Sequence, residues 1–90
     1  MDELAAVLSV AQDEVRGRAI AYPAGAEERL ALEMAAAALY LAGQIVARRP
    51  RKVARAWVML EAAVAALRSN SRGTLARARR EAQEQARGGN

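Results

Sequence analysis

Cysteine, histidine and phenylalanine are absent from this 90-residue sequence, and proline occurs only twice. Without cysteine the chain has no disulfide and no thiolate metal site, and nothing points to an oxidising compartment. Without histidine it lacks the commonest general base and the commonest metal ligand. No glycine-rich phosphate loop or nucleophile motif appears either. The sequence therefore predicts a protein that is not an enzyme and holds no cofactor, no metal and no small-molecule substrate.

Long hydrophobic runs are also missing. The longest uncharged run, from Met34 to Ala47, has 14 residues, whereas a membrane-spanning helix needs about 20. The chain starts with Met1, Asp2 and Glu3, which is the reverse of a signal peptide's basic start. We therefore expect a cytoplasmic protein with no membrane partner.

The residues that are abundant favour helix. Alanine alone occurs 24 times, and leucine, arginine and glutamate, which are also good helix formers, are common as well. No alternating strand pattern and no internal repeat is visible. Of the 14 basic residues, 13 are arginine, which together with the alanine content suggests a GC-rich bacterial or phage genome.

Helix breakers divide the chain into four predicted helices. Pro23 and Gly25 end the first, Pro50 suits the first position of the third, and Ser71 and Gly73 separate the third from the fourth. The predicted ranges are residues 2–21, 26 to 48 or 49, 50–69 and 74–87. This pattern predicts an all-α fold, a compact bundle of three amphipathic helices in residues 1–71. A weaker basic helix and a flexible tail follow in residues 72–90.

The second predicted helix is apolar on two sides, which is typical of a central helix or a subunit interface. Its polar residues form only a narrow wedge. A small domain with a small core often needs a partner for its stability. The chain could therefore form a homodimer through this helix. The candidate interface residues are Leu32, Leu39, Tyr40, Gly43 and Val46. The lone tryptophan, Trp57, lies on the apolar stripe of the third helix and is expected to pack in the core.

Charge is divided unevenly along the chain. Residues 1 to 47 carry seven acidic and three basic side chains, whereas residues 48 to 90 carry eleven basic and three acidic ones. The two halves therefore have net charges of −4 and +8. Such a basic half is suited to an anionic partner, and arginine in particular binds phosphate with two parallel hydrogen bonds.

Two basic segments are candidates for that contact. The first follows the second helix, and its residues are Arg48, Arg49, Arg51, Lys52 and Arg55. The second is the C-terminal helix, and its residues are Arg72, Arg77, Arg79 and Arg80. Both predict contacts with the phosphate backbone of nucleic acid. No aromatic residue lies among the C-terminal arginines, which argues against base stacking.

Each segment also has a structural interpretation. Arg48 and Arg49 could cap the carbonyl groups at the end of the second helix. Arg77 and Arg80 could pair with Glu81 or Glu84 at helical spacing. A helix-turn-helix formed by the third and fourth helices is a further alternative, in which Arg77 and Arg80 would face the major groove.

Two hypotheses for function follow from these patterns. One is a small nucleic-acid-binding protein, or a subunit of a nucleoprotein complex, that holds the phosphate backbone through its basic segments. The other is a protein-interaction module, such as an adaptor, an assembly factor or a phage inhibitor, that uses the second helix and the charged surfaces. The carboxylates Asp13, Glu14, Glu27, Glu28 and Glu33 are better explained by helix capping and solvation than by catalysis.

Overall fold

A computed structural model describes residues 2–70 and 73–88, and these form four α-helices. The helices are α1 (Asp2–Ala19), α2 (Glu27–Val46), α3 (Pro50–Ser69) and α4 (Gly73–Gly88). The prediction of an all-α fold is confirmed. The tail residues 89 and 90, together with Ser71 and Arg72 at the predicted boundary between bundle and C-terminal helix, lie outside the described residues.

The second helix ends earlier than predicted, at Val46 rather than at Arg48 or Arg49. Arg48 has a φ of 57°, and a left-handed residue of this kind stops a helix. The N–H of Arg48 donates to the Ile45 carbonyl at 3.0 Å, and the N–H of Arg49 donates to the Gln44 carbonyl at 3.1 Å. This pair of bonds is the Schellman arrangement, in which backbone N–H groups satisfy the last helical carbonyls. The first helix likewise stops at Ala19, two residues short of the prediction.

The helices pack in sequence order, with α1 and α3 on either side of α2. Contact between the backbones of α1 and α3 is slight, and α4 also makes few backbone contacts with the other helices. The radius of gyration is 15.5 Å, whereas a compact 90-residue domain has about 12 Å. The chain therefore forms a layer of three helices from which the fourth extends.

Alanine dominates the most deeply buried positions of these helices. Among the described residues only six hydrophobic side chains are buried. They are Ala19, Ala36, Ala37, Leu41, Ala56 and Ala76. Leu41, with 6% of its surface exposed, is the one large side chain in this set. Small side chains let helix axes approach closely, but each buries little apolar area, so the layer has close contacts and a thin core.

One large residue of the apolar stripe predicted for α3 does not pack in the core. Ala56 is fully buried against the layer, whereas its neighbour Trp57 is 53% exposed. The indole Nε1–H of Trp57 donates to Glu61 Oε2 at 3.1 Å, one turn further along α3. The prediction that Trp57 packs in the core is therefore wrong. The smaller Ala56 permits a closer approach to α2, and the indole ring lies at the edge of the contact. The other large residues of the stripe are half-buried, and they are Val53, Leu60, Val64 and Leu67.

A contact across 47 residues of sequence anchors the start of α4. The backbone N–H of Thr74 donates to Glu27 Oε1 at 3.1 Å, so a carboxylate from the first turn of α2 stabilises the N-terminus of another helix. Gly73 precedes it with a φ of +73°, and a Cβ atom at this position would lie 3.0 Å from Glu27 Oε1. The Arg79 guanidinium adds a second contact, donating to the Arg68 carbonyl at 2.7 Å.

Replacing Gly73 with alanine should release α4 from this anchor. The left-handed conformation costs a residue with a Cβ roughly 1–2 kcal/mol, and the new methyl group would displace the Glu27 carboxylate. Limited proteolysis should then cut near the α3–α4 junction at least several-fold faster than in the wild type, while α1 to α3 stay folded. Gly17→Ala is the matched control, since a Cβ at Gly17 meets no atom within 4 Å. In a helix interior that change should stabilise by up to about 1 kcal/mol. Equal protection of both variants would contradict this role of Gly73.

Candidate functional site

Five basic side chains surround the connection between α2 and α3. We call this set the turn patch, and it consists of Arg48, Arg49, Arg51, Lys52 and Arg55. All five residues are exposed, and none of their side chains bonds to another described residue. The patch therefore presents five free positive charges within eight residues of sequence, at one end of the helical layer.

The turn patch is not used to cap α2. Backbone N–H groups already satisfy the carbonyls of Gly43, Gln44 and Ile45, so the arginine side chains have no capping role there. Helical bonding of α3 begins with the N–H of Val53, which donates to the Arg49 carbonyl at 2.8 Å. The positive end of the α3 dipole therefore lies among the same cations, and helix N-termini of this kind favour anions.

Two of these cations share one side of α3. Arg51 and Arg55 are four residues apart, so their side chains point in nearly the same direction. Ala56, the next residue along, is fully buried against the layer. The exposed pair therefore points away from α2, toward solvent, and could contact successive phosphates of one strand.

The C-terminal arginines lie on the exposed part of α4. Arg77 and Arg80 are exposed, and neither pairs with Glu81 or Glu84, because Arg29–Glu33 is the only ion pair among the described residues. Arg79 differs, since one of its guanidinium nitrogens bonds to the Arg68 carbonyl. The predicted site residue Arg72 lies outside the described residues.

The two basic segments are at opposite ends of the α2–α3 hairpin. The turn patch adjoins the first residues of α3, whereas α4 starts beside Glu27 and follows the last residues of α3. Because α3 has 20 residues, these ends are about 30 Å apart. Within one chain the basic residues therefore form two separate surfaces rather than one.

The predicted protein interface is partly covered by the chain itself. Gly43 faces α1, where a Cβ at this position would lie 4.0 Å from the Leu8 Cβ. Leu39, Tyr40 and Gly43 line a cavity of about 240 Å³ between α1 and α2. Leu32 and Val46 are half-buried. This side of α2 therefore serves first to hold α1.

A cleft between α1 and α3 is not predicted by any pattern in the sequence. It has a volume of about 340 Å³ and lies over the polar wedge of α2, with Arg16, Ile20 and Met59 on its walls. On its floor Arg29 donates to Glu33 Oε2 at 3.0 Å and to the Tyr22 carbonyl at 3.1 Å. The cleft exists because α1 and α3 pack on α2 with only slight contact between each other. The angles at which helices pack cannot be read from a local sequence pattern.

The carboxylates form no group that could hold a metal ion, at least within residues 2–70 and 73–88. In the same part of the chain, α2 is the one helix long and apolar enough to cross a membrane by length and composition. No known protein family, curated protein or solved structure matches the chain.

Proposed function

We propose that this chain is a small, non-enzymatic binding protein that contacts the phosphate backbone of nucleic acid, alone or within a nucleoprotein complex. The turn patch makes the main contact, and Arg77 and Arg80 on α4 supply a second one. The observation that carries the proposal is the absence of any bond from the turn-patch side chains to other described residues. Five cations kept free and close together repel one another, and an array of phosphates would neutralise them.

Arg48 supports the same interpretation. It holds a left-handed conformation, with a φ of 57°, at the position where helices most often have glycine. An arginine there costs about 1 kcal/mol compared with glycine. A residue that is locally unfavourable and has no side-chain partner within the described chain is better explained by a contact outside it.

The compact bundle predicted from the sequence forms part of this proposal. The layer leaves large apolar side chains exposed on α1 and α3, among them Val10 at 64% and Val58 at 63%. We propose that a partner covers such surfaces and completes the bundle. We also propose that the protein acts in the cytoplasm, with α2 as the central helix of the layer rather than as a membrane span.

A second candidate function, a protein-interaction module, is favoured by the same exposed apolar side chains. Leu4 and Val7 on α1 are 53% and 62% exposed, and Ile20, just after α1, is 72% exposed. For an adaptor or inhibitor these side chains would carry the binding energy, and the basic surfaces would orient the partner. The two functions are compatible if the partner is itself part of a nucleoprotein complex.

Fluorescence anisotropy with a labelled duplex and a labelled single strand tests the proposed nucleic-acid contact. Binding should weaken steeply as salt rises, with a log–log slope of about −0.9 per duplex phosphate neutralised. Five turn-patch cations predict a slope of roughly −4 to −5. If the affinities for nucleic acids of unrelated sequence weaken equally as salt rises, the contacts are to the phosphate backbone rather than to the bases. No binding at about 50 mM salt would refute the proposal and leave the interaction module.

A further inference from the structure

One side of α2 is covered only in part by its neighbours. The residues along it are spaced alternately by three and four, which is the heptad spacing of a coiled-coil seam. We call them the alanine stripe, and they are Glu28, Ala31, Ala35, Ala38, Ala42 and Ile45. None of the six is buried, whereas Ala36, Ala37 and Leu41 on the packed sides of the same helix are.

The exposed members run along the whole stripe. Glu28, Ala38 and Ile45 are all exposed, and for Ile45 the exposed fraction is 55%. On α3, Met59 lines the cleft on one side of the layer. Trp57 precedes it by two residues, about 160° away around the helix, and so projects toward the other side, where the stripe lies. The stripe and the half-exposed indole ring therefore face the same side of the layer.

Charge at the two ends of the stripe is complementary. Glu28 is at its N-terminal end, and Arg48 and Arg49 follow its C-terminal end. Ala38 is ten residues from Glu28 and ten from Arg48, or about 15 Å in each direction. If two copies of α2 packed antiparallel about Ala38, each Glu28 would come level with Arg48 and Arg49 of the other copy.

We propose that a second copy of this chain occupies the alanine stripe, so that two α2 helices pack antiparallel around a two-fold axis near Ala38. Alanine at the seam lets the helix axes approach to about 8 Å. Glu28 of each copy then pairs with the arginines that end α2 of the other. In a two-fold interface every such contact occurs twice, so this one arrangement satisfies both ends.

An apolar hollow at the end of the stripe gives the exposed Ile45 a place to pack. It has a volume of about 420 Å³, and its lining includes Glu28, Ala31, Leu67 and Ala78. In the antiparallel pair, Ile45 of the second copy comes level with Ala31 and would enter this hollow. The two copies would thus contact each other through α2 and through the first turns of α4.

The arrangement would also join the two basic segments. Within one chain they are about 30 Å apart. In the pair, the turn patch of one copy lies beside the start of α4 of the other, which creates two composite basic surfaces. This inference concerns self-association. It pairs Arg48 and Arg49 with Glu28 of the other copy, so in the pair Arg51, Lys52 and Arg55 are the turn-patch cations that stay free for phosphate.

Sedimentation equilibrium of the full chain, without nucleic acid, tests the pair. The wild type should show twice the chain mass of 9.6 kDa. Glu28→Arg should weaken association at least tenfold, and so should Arg48→Glu with Arg49→Glu. The three changes combined exchange the charges between the two ends and should restore association to within a few-fold of the wild type. A charge-exchanged variant that stays as weak as its parents would overturn the pairing.

Ala38→Glu tests the seam itself, because it places two carboxylates together at the two-fold axis. The dimer should be lost while the helix content of the monomer stays unchanged, since Ala38 is exposed in the single chain. Ala62→Glu, at an exposed alanine on α3, is the matched control and should leave association intact. Wild-type chain that remains monomeric at millimolar concentration, or equal effects of the two variants, would refute the proposal. Neither result would bear on nucleic-acid binding.

Discussion

Leu41→Ala should unfold a large fraction of the protein under conditions in which the wild type is folded. Leu41 is the one large side chain among the buried described residues, and it lies on the helix that holds the layer together. Removing a buried leucine side chain costs about 2–5 kcal/mol. A small domain with a thin core has only a few kcal/mol of net stability, so this loss is comparable to the total free energy of unfolding of the wild type. Urea denaturation followed by circular dichroism would measure it.

Leu4→Ala is the matched control, because the same atoms are removed from a side chain that is 53% exposed. Its free energy of unfolding should fall by less than about 1 kcal/mol. If the free energy of unfolding falls equally in the two variants, burial of Leu41 is not the main source of stability in the core. Both proteins should be compared at one concentration, because self-association would itself raise the apparent stability.

Neutralising three cations of the turn patch should produce the largest change in nucleic-acid affinity. The variant is Arg51→Gln, Lys52→Gln and Arg55→Gln. Three lost phosphate contacts should reduce the steepness of the log–log salt dependence by about 2.7. If the counterion contribution vanishes near 1 M salt, affinity at 0.1 M should fall by roughly 500-fold. An anisotropy titration at several salt concentrations would measure both quantities.

Three exposed arginines outside the patch provide the control for net charge. Arg16, Arg18 and Arg68 are exposed, and replacing all three with glutamine changes the charge of the chain by the same amount. Their loss should reduce affinity by less than tenfold, since they lie outside the proposed contact. Equal losses for the two triple variants would show that binding follows net charge alone and would contradict a localised site.

Local signals in the sequence were enough to predict the helices. Pro50 fixed the start of α3, and its predicted end at Ser69 is confirmed. The end of α2 was placed two or three residues too late, because the composition gives no sign that Arg48 adopts a left-handed conformation. Helix-forming residues continue through that turn, so only the backbone geometry reveals where α2 stops.

The orientation of the helices was harder to predict. Large apolar residues define a stripe through Trp57, but Trp57 itself is exposed, and the most deeply buried described residue of α3 is the alanine beside it. Side-chain size misleads here, because close approach favours the smaller residue. The anchor between Glu27 and the α4 N-terminus joins parts of the chain 47 residues apart, and periodicity carries no information about such a pair. The basic segments themselves could be predicted, but their separation follows only from how α4 is attached.

The small size of the buried side chains has a consequence for the response to temperature. The heat-capacity change of unfolding comes mainly from apolar surface that becomes hydrated, at about 0.45 cal/mol/K per Å². Five of the six buried side chains among the described residues are alanine, so this surface is small and the heat-capacity change should lie below the usual value of about 12–15 cal/mol/K per residue. The curve of stability against temperature is then shallow. The protein would lose little stability on cooling, and its thermal unfolding would extend over a broad range.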